Sequence, residues 1–278
     1  MTADTDPLVD QLQNLLVSVV DTKDKDVEII DTLIEVVGKF AGMLPSLCDR
    51  VGTGGGVKFI LECMPTYLSW GLVSHDYQYH DVLVTLDKLL SSSANVELFL
   101  DLDGVRNLCF TTFLLQKNRD IQLLGFKIIN KVVHKNRPNC KLLVEEDCIS
   151  LVMQQFKFHA SDLEVIQGAF VSMNNIGFNA RSVLLLKRFD GLAQFLKAMM
   201  EYKNDKIIQQ NGFEVILQLL RNNVDCCYEK SNFLIVIMKA MRNNITDEHI
   251  MELGMDILWH VHETKKLQLT NQKVTTDS

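Results

Sequence analysis

The sequence predicts an all-α chain built as an α-solenoid of about five to six repeating units. Three observations carry this. Three spaced markers recur with one period near 43 residues, only four prolines interrupt 278 residues, and no stretch shows the period-two alternation of a half-buried strand. Each unit reads as a short helix, a second helix and a longer third helix.

The first marker is an aspartate between the short and second helices. It recurs as Asp103, Asp147 and Asp190, 44 and 43 residues apart. Each follows a short apolar segment: Val96-Glu-Leu-Phe-Leu-Asp-Leu, Cys140-Lys-Leu-Leu-Val-Glu-Glu and Ser182-Val-Leu-Leu-Leu-Lys-Arg-Phe. A second aspartate, Asp120, Asp162 or Asp205, falls in the polar break before the third helix, at spacings of 42 and 43. Asp suits a helix N-cap, because its carboxylate accepts from the first free N–H groups. Both sets are therefore expected to cap. The third marker is a glycine early in the third helix, Gly125, Gly168 or Gly212. Glycine inside a helix costs about 1 kcal/mol against Ala, so its recurrence predicts close helix approach at one equivalent position.

A unit of this length falls in the range of HEAT and armadillo repeats. The Asp-Gly step followed by apolar residues resembles the turn before the second armadillo helix. Glu164-Val-Ile-Gln-Gly-Ala-Phe-Val-Ser-Met-Asn-Asn-Ile-Gly resembles the third armadillo helix, which often ends in an Asn-Ile-Ala-like step. The resemblance is strongest over residues 95–223 and implies a right-handed superhelical solenoid. It predicts one solenoid over residues 1–263: N-terminal cap helices in 1–50, an atypical repeat in 51–94, the best-matching repeats in 95–223 and C-terminal cap helices in 224–263. Within these flanks, residues 8–20 and 27–47 are apolar-periodic, residues 81–90 read as a third helix, and 233–241 and 248–262 read as the last two helices. Residues 264–278 read as a polar, frayed tail.

Composition limits function. The net charge of −7 disfavours general nucleic-acid binding. No apolar run approaches the ~20 residues that span a bilayer, and the acidic N-terminus has no apolar secretory segment. Seven cysteines, with no Cys-x-x-Cys, predict a reduced chain of the cytoplasm or nucleus. Cys226-Cys227 reads as filler rather than a redox or metal pair. Gly52-Thr-Gly-Gly-Gly-Val-Lys58 lacks the Gly-Lys-Ser/Thr step and leading strand of a phosphate loop, and reads as a flexible connection. His260 and His262 point to different helix faces, and His75 and His80 read as loop residues. Trp70, Trp259 and the methionines Met199, Met200, Met238 and Met241 sit in apolar-rich helical stretches and are expected in the core. No hydrolase, zinc-protease or kinase signature is present. The expectation is no catalytic, cofactor or metal site, and no enzyme.

The third helices carry the candidate site. In armadillo folds this helix lines the concave groove. Nuclear-import adaptors of that family grip basic peptides there with a Trp and, four residues on, an Asn. The aligned Trp positions here hold Lys127, Val171 and Glu214, and the Asn positions hold Lys131, Asn175 and Gln218, so only Asn175 matches. That departure argues against import-signal binding. Instead Lys127, Lys131 and Lys135 recur every four residues, which makes one helix stripe. Residues 117–141 carry seven Lys/Arg against one acid. If the stripe faces the groove, it focuses positive potential and favours an acidic, extended segment of a protein partner. The alternative is the solvated face of an amphipathic helix. The sequence therefore predicts an adaptor or scaffold, with Lys127, Lys131, Lys135, Asn175 and Gln218 as partner contacts. Two other readings stay open: a regulatory factor such as a nucleotide-exchange factor for a small GTPase or chaperone, and the helical region of a larger signalling protein.

Overall fold

A computed structural model describes residues 6–20, 26–69, 76–134, 137–177, 179–222 and 232–276. Trp70, His75, Lys135, Cys226 and Cys227 lie outside them. Among the described residues every regular element is helical. The chain divides into two compact units, Met1–Glu146 and Asp147–Ser278.

In the first unit the helices are α1 (Asp6–Val20), α2 (Val27–Met43), α3 (Pro45–Val51), α4 (Val57–Ser69), α5 (Asp76–Leu89), α6 (Ser93–Asp101), α7 (Gly104–Leu114), α8 (Arg119–Val133) and α9 (Arg137–Glu145). The second unit holds α10 (Cys148–Phe158), α11 (Leu163–Ile176), α12 (Ala180–Arg188), α13 (Gly191–Glu201), α14 (Lys206–Arg221), α15 (Phe233–Asn243) and α16 (Glu248–Thr276). The long helices α2, α5 and α8 pack side by side in the first unit, as do α11, α14 and α16 in the second. These layers are the third helices of the repeat. Helix α16 runs on to Thr276, so the tail expected from 264 is helical.

Third helices begin at polar caps. Asp26 accepts from the Glu28 N–H at 2.9 Å, Asp162 from Val165 at 3.2 Å, Asp205 from Ile208 at 2.9 Å and Asp247 from Ile250 at 3.2 Å. In α8 the cap is Asn118, which accepts from Ile121 at 3.2 Å. Asp120, expected to cap, lies inside the first turn, where its charge favours the helix dipole. The Lys206 ammonium and the Ile250 N–H hold the Asp247 carboxyl below the usual carboxylate range.

The aspartates before the second helices behave differently. Asp103, Asp147 and Asp190 adopt left-handed backbone, φ 56°, 63° and 50°, and none makes a side-chain cap hydrogen bond. The capping expectation is corrected here. Asp recurs because it tolerates a left-handed turn that most L-residues resist. The substitution pattern should separate the roles. Asp26→Ser should hold stability within about 0.5 kcal/mol, since Ser also caps. Asp103→Ser should cost about 1 kcal/mol, since Ser is a poorer left-handed residue, and Asp103→Gly should not. Urea midpoints of the three variants check this.

Counted from the caps Asn118, Asp205 and Asp247, Gly125, Gly212 and Gly254 are each seventh. A Cβ there would meet Thr112 at 3.0 Å, Met199 at 2.8 Å and Met241 at 2.6 Å, on the preceding second helix. Gly168 lies on the third helix as expected, but one residue early; Ala169, fully buried, holds the seventh place. The Gln122 and Gln209 amides tie the same helix pairs together. Gln122 donates to the Thr112 and Leu115 carbonyls at 2.9 and 3.1 Å, and Gln209 to Met199 and Tyr202 at 2.9 and 3.0 Å. The Thr112 and Met199 carbonyls lie in the last turns of α7 and α13, where helix carbonyls run out of intrahelical donors, while those of Leu115 and Tyr202 also accept from the Asn118 and Asp205 N–H groups at 2.9 Å.

Three further expectations are corrected. Residues Gly52–Gly56 join α3 to α4 directly across a kink at Gly55, φ 116°, rather than through a loose loop. Trp259 is 65% exposed on α16, and Met238 and Met200 are also exposed. Met199 and Met241 are buried as expected.

Candidate functional site

In the first unit, α5 and α8 lie side by side, and a charged bracket joins them. Asp87 projects from the last turn of α5 and is 9% exposed. Its two carboxylate oxygens meet two lysines of α8: Lys127 Nζ at 2.6 Å from Oδ2 and Lys131 Nζ at 2.5 Å from Oδ1. Lys131 also donates to the Asp87 carbonyl and, at 3.2 Å, to Ser91 Oγ. Lys127 is 60% exposed and Lys131 28%, so the ammonium groups lie on the solvent side of the carboxylate. Two cations share one anion, leaving one positive charge in excess. Beside them opens a cleft of about 740 Å³ whose lining includes Ser91, Ser93, Glu97, Lys127, Lys131 and His134.

The second unit repeats the bracket with other chemistry. Asn174 of α11 reaches Glu214 and Gln218 of α14, 40 and 44 residues further on. These are the offsets that separate Asp87 from Lys127 and Lys131. Gln218 Nε2 donates to Asn174 Oδ1 at 2.6 Å and to its carbonyl at 3.2 Å. Asn174 Nδ2 donates to Asn211 Oδ1 at 3.2 Å and to Glu214. On the far side, His249 Nε2 of α16 lies 3.4 Å from Glu214 Oε1. This layer is polar with a single carboxylate at its centre, where the first unit carries paired lysines.

The structure thus brings Lys127 and Lys131 together, and places Gln218 at the matching position of α14. Asn175 is exposed near the end of α11, and its neighbour Asn174 makes the bracket. Lys135 lies outside the described residues. Sequence reasoning missed Asp87 and Asn174. Their signal was the 44-residue offset from Lys131 and Gln218, visible only once α5 is aligned with the other third helices.

Among the described residues no group of three or more His, Cys, Asp or Glu is placed to hold a metal, and no helix is long and apolar enough to cross a membrane. Burial pushes the Cys48 thiol up, which disfavours a reactive thiolate. Tyr67, hydrogen-bonded to Asp31, and the buried Tyr79 also titrate above their usual range, chiefly through burial.

No protein-family model matches the sequence, and no curated protein does. Solved structures match in shape. An engineered protein superposes with TM-score 0.69 at 13% identity over 90% of this chain, which spans 58% of that protein's length. A designed armadillo repeat protein matches with TM-score 0.68 at 12% identity, covering 90% of this chain and 99% of the other. Another, solved in complex with the peptide (KR)4, matches with TM-score 0.67 at 12% identity over 90% and 98%. The fold is therefore an all-α solenoid of the armadillo-repeat type. Identity this low establishes fold and nothing of function.

Proposed function

We propose that this chain is a non-enzymatic protein-interaction scaffold of the cytoplasm or nucleus. Its third-helix face takes an extended, acidic segment of a partner protein. Lys127, Lys131 and Lys135 supply the charge in the first unit; Asn175 and Gln218 are the polar contact positions proposed for the second unit, taken by itself. The observation that carries the reading is the Lys127 and Lys131 pair on α8, of which Lys127 is exposed, sharing the single Asp87 carboxylate in a chain of net charge −7. The fold supports it, since designed armadillo proteins serve modular peptide recognition and one is solved with a basic (KR)4 peptide. Here lysines stand on the third-helix face, so the favoured sign is reversed.

Reversing the lysines to Glu would set new carboxylates against buried Asp87, so Gln is the cleaner substitution. The double variant Lys127→Gln/Lys131→Gln keeps hydrogen-bond donors facing Asp87 and removes both charges. Its affinity for a fluorescein-labelled decaglutamate peptide should fall about tenfold at low salt, and the salt dependence should flatten. Fluorescence anisotropy measures both. Unchanged affinity in a folded double variant contradicts the reading.

A further inference from the structure

We propose that Asp87 is a built-in stand-in for the partner's carboxylate, occupying the lysine pair until an acidic segment displaces it. The inference rests on the acidic-segment reading and adds a regulatory element to the same site. Three observations support it. The bracket closes in the second unit with a neutral Asn174 at the same offsets, so its geometry does not require a charged residue. Where the facing positions hold lysines, the bracketing residue is a carboxylate that meets both. Lys127 is the exposed member, Lys131 is half-buried and Asp87 is covered, so an incoming carboxylate reaches the Lys127 ammonium first from solvent while Asp87 stays beneath.

A carboxylate already paired to both lysines lowers the field that a ligand meets. Ligand binding then exchanges one ion pair for another, which weakens the interaction and quickens release. A simple staple between α5 and α8 makes the opposite demand: removing it loosens the helix layer and lowers affinity. The two roles are therefore separable by the sign of one effect.

The test is the affinity of the labelled decaglutamate peptide for the full chain, its Asp87→Asn variant and the Lys127→Gln/Lys131→Gln variant. Asp87→Asn should bind about three- to tenfold tighter than the parent, with a steeper salt dependence. Lysine-dependent binding that Asp87→Asn leaves unchanged or weakens overturns the stand-in role and leaves the acidic-segment reading in place. Absence of binding by both the parent and Asp87→Asn overturns both. Should Asp87→Asn lose its helical circular dichroism, the side-chain carboxyl ¹³C resonance of Asp87 in the parent chain decides. It should move when the peptide saturates the protein, and a stationary resonance at saturation overturns the proposal.

Discussion

Phe170→Ala should destabilise the second unit by about 3–5 kcal/mol, the largest effect expected from a single core substitution here. Phe170 is fully buried on α11. Its ring meets Phe156 of α10 edge-to-face at 5.0 Å and Phe195 of α13 at 5.6 Å, and Phe156 and Phe195 are 5.2 Å apart. One aromatic cluster thus joins helices from two repeats. Truncation removes buried area, the edge-to-face contact with Phe156 and the filling of the space between the rings. A loss of this size is a large share of the ~5–15 kcal/mol that holds a domain folded. Urea denaturation followed at 222 nm should show the midpoint fall sharply, with Phe170→Leu falling much less.

Gly104→Ala should cost about 1–3 kcal/mol, although Ala is the better helix former. An added Cβ would stand 2.3 and 2.4 Å from the ring carbons of Phe99 and 2.5 Å from its carbonyl oxygen. Phe99 is fully buried and the carbonyl is backbone, so neither can yield cheaply. Relief requires α6 and α7 to separate. Gly125→Ala provides the contrast. Its Cβ would meet one Thr112 methyl at 3.0 Å, and the gain in helix propensity offsets the contact, so little net change is expected. Thermal midpoints of the two variants test this directly, and equal losses would contradict the packing account.

The repeat was legible because its signals are local. Capping aspartates, apolar periodicity and the small residue near the seventh position act within one helix or between consecutive helices. The third helices could therefore be aligned, and Lys127, Lys131, Glu214 and Gln218 all fall on the bracket. What stayed hidden depends on contacts between repeats. Asn174 rather than Asn175 faces α14, a difference of one residue and about 100° of rotation, which sequence spacing does not resolve. Asp87 lies in a region where the repeat pattern is weak, and nothing local marks it as the partner of two lysines 40 and 44 residues away. Asp103, Asp147 and Asp190 depart from the capping expectation because Asp suits both a cap and a left-handed turn. The small residue that follows, Gly104, Cys148 or Gly191, was the discriminating sign. Composition alone places Trp259 in the core, yet α16 presents it to solvent.

On the proposed function, ligand binds on the third-helix face of the first unit. Photo-crosslinking tests it most directly. A decaglutamate peptide carrying one benzophenone residue is irradiated with the full chain, and the adducts are mapped by mass spectrometry. Adducts are expected on α5 and α8 around Lys88, Lys127 and Lys131, and are lost in Lys127→Gln/Lys131→Gln. Adducts confined to α4 and α7, or adducts on α8 that persist in that variant, would contradict it.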